Sequence, residues 1–307
     1  MNNVFPESGA SAVHSIRPVL AEFIKSEHLP DSYLQTVEQW YLPLAEEVLR
    51  HISTHQGPFM LGINGCQGSG KSTLAALLVI LLRELLGIRS INLSLDDFYL
   101  SFEERQTLST AIHPLLATRG VPGTHDIELA MRTLDALKKP GDVAIPRFDK
   151  ASDDRAPTEQ WRVITAPVDV VILEGWCLGI AAQSEAELQQ PINDLERQED
   201  KNRTWRSFVN QKLATDYQEL FRQLDMLVML KAPGFDNVLA WRLQQEEKLA
   251  AGNAGRKNNK IMNSTELRRF ISHYERLTRH AIDSLPATAD IVFQLNADQT
   301  VQARIRG

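Results

Sequence analysis

Cysteine is almost absent: the 307-residue chain has two, Cys66 and Cys177. Two thiols alone cannot build a disulfide framework or a cysteine metal cluster. Cys66 also falls in a glycine-rich stretch, where a disulfide would hinder a bound phosphate. Both read as free thiols of a reducing compartment, the cytoplasm. An excess of positive charge is missing too. There are 33 Lys and Arg against 39 Asp and Glu, a net charge of −6. That argues against a nucleic-acid-binding surface, although a local basic pocket remains open. The longest apolar stretch, residues 74–82, is far too short to cross a bilayer, so no membrane contact is expected. Residues 1–8 lack a basic region followed by an apolar run, so no signal peptide is expected. No internal repeat and no low-complexity tract is found.

Hydrophobic residues are ample, at 43%, enough for one large α/β domain or two small ones. The most informative stretch is Gly65-Cys66-Gln67-Gly68-Ser69-Gly70-Lys71-Ser72. It fits G-x-x-x-x-G-K-[ST], a phosphate-binding P-loop. A buried strand precedes it, and a helix with Leu74, Leu77, Leu78, Leu81, Leu82 and Leu85 follows. Glycines let backbone N–H groups turn onto phosphate oxygens, and the helix N-terminus adds partial positive charge. Gly65 to Thr73 are therefore the expected nucleotide site. Lys71 would reach the β- and γ-phosphates, and the Ser72 hydroxyl would ligate Mg²⁺.

Runs rich in Val, Ile and Leu predict five parallel strands at 59–64, 90–95, 168–173, 226–231 and 290–295. Helices are expected at 71–86, 126–138, 204–223, 234–251 and 264–283. Asn263 with Glu266, and Ser101 with Glu104, resemble capping boxes. Residues 15–56 read as helical, with Trp40, Leu42, Leu44, Val48, Leu49 and Ile52 on one side. The expected fold is α/β: a P-loop NTPase-type, doubly wound, mostly parallel five-stranded sheet flanked by helices. Its expected divisions are an N-terminal helical addition over 1–57 and a main domain over 58–307. Residues 105–160 show one clear helix and are too long for an idle loop, so they are the expected acceptor segment. Residues 181–203 are highly charged and read as a solvated insertion.

Asp96 and Asp97 stand where the second strand ends, the edge that also carries the P-loop. A carboxylate there can accept a hydroxyl proton while a γ-phosphoryl group moves, or it can hold Mg²⁺. The bland alternative for each is a turn or capping carboxylate. Glu174, followed by Gly175, closes the third strand and is the expected acid on the Mg²⁺ side.

Residues 65–72, Asp96-Asp97-Phe98-Tyr99, Pro146-Arg147-Phe148-Asp149 and Glu174-Gly175 together resemble the P-loop kinases of small metabolites. That group includes uridine kinase, phosphoribulokinase and bacterial pantothenate kinase. Within it, residues 119–126, 145–150 and 241–244 are most similar to D-glycerate 3-kinases of the plant and microbial type. The resemblance implies transfer of phosphate from ATP, with Mg²⁺, to a hydroxyl of a small metabolite, D-glycerate first. The alternatives are pantothenate or a nucleoside as acceptor, or a non-catalytic ATP-binding regulator. It implies Asp96 as catalytic base and Lys71 as phosphate clamp. Arg242 would be an arginine of a helical lid over 234–262, with Ser72 and Glu174 on the metal side. Arg119, His125 and Arg147 are candidates for the acceptor carboxylate, with Lys150, Arg155 and Tyr99 behind them. His125 serves equally well as a structural residue beside Asp126, and Arg147 as an ion-pair partner of Asp149 or Asp97. Two departures from the family pattern are the 181–203 insertion and the basic run Arg256-Lys257-Asn258-Asn259-Lys260.

Overall fold

The computed structural model describes residues 14–252 and 264–306. Ten strands occur among them. In chain order they are β1 (Phe59–Gly65), β2 (Ser90–Ser94), β3 (Gly141–Ile145), β4 (Phe148–Asp149), β5 (Asp154–Arg155), β6 (Arg162–Ala166), β7 (Val170–Gly175), β8 (Met226–Lys231), β9 (Ile291–Leu295) and β10 (Val301–Arg306). Six form the central sheet in the order β10-β9-β8-β1-β7-β2. The five expected strands are all present and pair in parallel. The sixth, β10, adds antiparallel to β9. It went unpredicted because Val301 to Arg306 is a half-exposed edge strand, without the continuous apolar run of a central one.

β1 lies between β7 and β8, whereas the chain runs next from β1 to β2, on the far side of β7. The strand order therefore switches at β1, and the carboxyl ends of β1, β7 and β2 open onto one crevice. Register places Glu174 beside Ile63 on one side and Ser94 on the other. One face of the sheet shares a core with the N-terminal helices Arg17–Ser26 and Leu42–Ile52, through Leu20, Val37, Tyr41 and Leu44. The expected helix over 15–56 is broken near residues 27–32 and widens to a π turn at Val37–Tyr41. Pro43 follows within that helix and has no N–H to donate, which favours such a register shift.

Three further expectations change. Residues 204–223 form two helices, Thr204–Ala214 and Asp216–Phe221, divided at Thr215. The acceptor segment holds more structure than its one clear helix at Ile127–Leu137: strand β3, whose antiparallel partner β6 lies just beyond it, a small β4–β5 hairpin, and most of helix Phe102–Ala111. That last helix opens with the Ser101–Glu104 capping box, but its one buried residue is Arg105, so it shows no apolar periodicity. The 181–203 stretch is exposed along most of its length but anchored at a few points. Leu188, Leu195, Glu196 and Asp200 are buried. Glu196 accepts from Arg276 Nε and Nη2 at 2.7 and 2.6 Å, and Asp200 accepts from Arg206 at 2.7 Å. Two of its carboxylates, Glu196 and Asp200, are turned inward in pairs while its other charges stay at the surface, a division that composition cannot reveal.

Candidate active site

The turn after β1 has the conformation a phosphate cradle needs. Gly68 and Gly70 adopt φ of 81° and 88°, and helix Lys71–Leu86 starts directly behind them. The Ser72 hydroxyl donates to Glu174 Oε1 at 2.8 Å. Lys71 Nζ stands 3.7 Å from Glu174 Oε2. Burial opposes charge on Lys71, but Glu174 and Asp96 outweigh it and hold the ammonium above its ordinary pKa. Glu174 Oε2, Ser69 Oγ and Gln67 Oε1 are buried without a hydrogen-bond partner, an incomplete set of polar atoms lining this turn. Gly65, Cys66 and Thr73 complete the loop as expected, and burial pushes the Cys66 thiol up to about 12, so it stays protonated.

Asp96 lies across the crevice in a short turn after β2, and Ser94 Oγ accepts its N–H at 3.3 Å. Its carboxylate takes the Tyr99 hydroxyl at 2.9 Å and the Lys150 ammonium at 2.8 Å. Burial would raise its pKa, but Lys150 and Lys71 overcome that and hold Asp96 well below the usual carboxylate range. Asp97 faces elsewhere. It accepts the Phe148 N–H at 3.1 Å, and burial raises its pKa. Its observed contact is a structural one, fastening the β4 strand.

His125 is buried, with its ring stacked on Tyr99 at 4.4 Å between centroids. Gly123 N–H donates to the Tyr217 hydroxyl at 3.1 Å, and that hydroxyl lies 2.5 Å from His125 Nδ1. The Tyr217 hydroxyl can donate to Nδ1 or accept from it as well as from Gly123, and the ring proton sits on Nε2 in the first case and on Nδ1 in the second. Nε2 has no partner. Burial lowers the His125 pKa to about 4, so the imidazole is neutral near neutral pH. Arg119 is held by Asp153 and lies 5.4 Å from the Phe148 ring centre. Arg147 is exposed, and Asp149 is held by hydrogen bonds from the Ser152 hydroxyl and the Ala151 N–H. Arg155 donates to the Tyr99 carbonyl and to Asp126 at 3.1 and 3.3 Å.

The expected lid is represented by helix Phe235–Gly252; residues 253–263, with the basic run and Asn263, lie outside the described residues. This helix leans on the P-loop. A Cβ built on Gly68 would meet Trp241 Cβ at 2.7 Å. Burial raises the pKa of the Tyr274 hydroxyl, with Asp96 raising it further and Arg119 and Arg242 opposing it. Some residues of the site were not foreseen. Arg105 is fully buried and donates to the carbonyls of Leu100, Ala117 and Asp153. Trp176 Nε1 donates to the Gly120 carbonyl, and the Tyr274 hydroxyl to the Arg119 carbonyl. Tyr217, Trp176 and Tyr274 carry no motif, because their partners are backbone atoms or distant residues.

A family model described as the phosphoribulokinase/uridine kinase family matches residues 60–189. An uncharacterized kinase of Schizosaccharomyces pombe is 38% identical over 228 residues, spanning 71% of this chain and 78% of that one. The chain belongs to the phosphoribulokinase/uridine kinase family. It is thus a P-loop kinase, and its six-stranded sheet is that family's fold. Among its family relatives, the chloroplastic D-glycerate 3-kinase of Arabidopsis thaliana is 30% identical over 228 residues, 71% of this chain. The match spans 46% of that longer relative, about half its length. The solved D-glycerate 3-kinase of Cryptococcus neoformans superposes with a TM-score of 0.72 at 26% identity, covering 89% of this chain and 99% of that one. No helix of the described residues is long and apolar enough to cross a membrane.

Proposed function

We propose that this P-loop kinase transfers the γ-phosphoryl group of ATP to D-glycerate, giving 3-phospho-D-glycerate. The observation that carries the reading is the pairing of two features at one crevice. A phosphate cradle faces Asp96, and beside Asp96 stand a lysine suited to an anionic hydroxy compound and a neutral histidine with an unpartnered Nε2. Similarity to two D-glycerate 3-kinases supports the choice of acceptor.

The P-loop fits a nucleotide phosphate on its own terms: left-handed glycines, a helix start, a buried lysine and unpartnered polar atoms. Ser72 and Glu174 would hold Mg²⁺, since one hydroxyl and one carboxylate suit an ion that takes its other ligands from phosphates and water. When bound, the metal neutralises phosphate charge. Lys71 and Arg242 stabilise charge on the transferring group. Asp96 orients the acceptor hydroxyl and takes its proton. Phosphoryl transfer depends mainly on positioning and electrostatics, so a weakly basic carboxylate serves.

The test is ADP release with ATP and Mg²⁺ against D-glycerate, L-glycerate, pantothenate, uridine and ribulose 5-phosphate, with the product identified by mass. Stimulation by D-glycerate alone, giving the 3-phosphate, is the expected outcome. Stimulation by another compound replaces the acceptor. Tight ATP binding with no stimulation overturns the acceptor reading and favours a regulatory ATP-binding protein.

A further inference from the structure

The β4–β5 hairpin is fastened from several sides. Arg105 and Arg119 both reach Asp153, whose φ of 58° is left-handed. Asp97 accepts the Phe148 N–H, and Asp154 accepts the Phe102 N–H at 2.9 Å. From this anchored hairpin one cation reaches into the crevice. The Lys150 side chain is 62% exposed, yet its ammonium contacts Asp96, which is only 24% exposed.

The two ends of this ion pair differ. Asp96 is held by its turn and by Tyr99, whereas Lys150 is a flexible, solvated side chain. An exposed pair of this kind is weakly held, and a competing anion can displace it. The second cation acting on Asp96 is Lys71, which is committed to Glu174 at the P-loop. An acceptor hydroxyl must come to the carboxylate that the Lys150 ammonium already contacts. An acceptor with its own anionic group offers Lys150 a replacement partner; a neutral acceptor offers none.

We propose that Lys150 selects the acceptor by its carboxylate: the acceptor anion takes the ammonium over from Asp96, and the acceptor hydroxyl replaces it as hydrogen-bond donor to Asp96. This rests on the kinase reading above and narrows its substrates to hydroxy acids. The exchange also removes one of the two cations that suppress the proton affinity of Asp96. Asp96 thus becomes a better base only when an acceptor is present. The hydroxyl proton passes to Asp96, the hydroxyl oxygen bonds to the γ-phosphorus, and ADP leaves with the electrons of the broken P–O bond.

The experiment compares the wild type, Lys150→Met and Lys150→Arg in steady-state kinetics with D-glycerate and with glycerol, its analogue lacking the carboxylate. In K150M the KM for D-glycerate rises about tenfold or more, as expected for a lost charge-assisted contact. The KM for ATP stays within about twofold, and the preference for D-glycerate over glycerol collapses. K150R keeps most of that preference. Acceptor-free ATP hydrolysis rises in K150M, because Asp96 is released to water. A thermal melt checks folding, which an exposed side chain should leave intact. Unchanged discrimination in K150M, with a wild type that phosphorylates D-glycerate, overturns the proposal alone. A wild type that phosphorylates no hydroxy acid overturns the acceptor reading and the proposal together, and that result is read before any variant is made.

Discussion

Gly68→Ala should damage this kinase by pressing the phosphate loop against helix Phe235–Gly252. Two effects add. The φ of 81° is unfavourable for alanine, at about 1 kcal/mol. The new methyl would also stand 2.7 Å from Trp241 Cβ. Carbon atoms pack at roughly 3.5–4.0 Å, so the loop or helix Phe235–Gly252 must shift by about 1 Å. Overpacking of this kind costs about 1–3 kcal/mol. The sum, about 2–4 kcal/mol, lowers the Tm by roughly 3–6 °C for a chain of this size. Gly70→Ala is the internal control. Its φ of 88° is as unfavourable, but nothing lies within 4 Å of the added methyl. It should lose only about 1 kcal/mol. Calorimetry without nucleotide separates the two variants, and titration with a fluorescent ATP analogue then shows whether displacing the helix weakens nucleotide binding further. Equal destabilisation at both positions would refute the reasoning, since it would mean that Trp241 does not press on the loop.

Other perturbations have defined outcomes. Asp96→Asn should lower kcat by about 10²–10⁴ while nearly keeping the KM for ATP; unchanged turnover removes Asp96 from the chemistry. Arg105→Met leaves the carbonyls of Leu100, Ala117 and Asp153 without their donor and should cost about 3 kcal/mol. Its KM should rise for the acceptor more than for ATP, because the disturbed hairpin faces the acceptor side; equal changes count against that assignment. His125 and His273 are both lowered by burial from 6.5 to about 4. The unfolded chain therefore binds more protons than the folded one between these values. Stability from both residues is fully present above about pH 6.5 and is lost as pH falls toward 4. Chemical denaturation across that window should show the decline, and His125→Gln with His273→Gln should flatten it.

The parts of the fold that were legible share one property: their signal is local. β1, β7 and β8 are buried along nearly their whole length and read as unbroken apolar runs. The P-loop is a contiguous motif, and the Ser101 cap lies three residues from its partner. What was missed depends on pairing at a distance. Glu196 and Arg276 are 80 positions apart, so the buried ion pair that anchors an otherwise exposed, charged stretch leaves no trace in composition. Lys150 and Asp96 are 54 apart, and a sequence gives no reason to rank Lys150 above Arg147. The structure separates the two, with one on the carboxylate and the other turned outward.

The placement of the β4–β5 hairpin outside the central sheet has a consequence for how such enzymes diversify. The machinery that grips phosphate is built into strand ends and a helix start, where a change disturbs the whole sheet. The hairpin that carries Lys150 hangs from a few side-chain tethers. A lineage can recut its turn, or an engineer can transplant another, while the phosphoryl donor site is inherited untouched. New acceptors then become reachable through changes in a handful of adjacent residues.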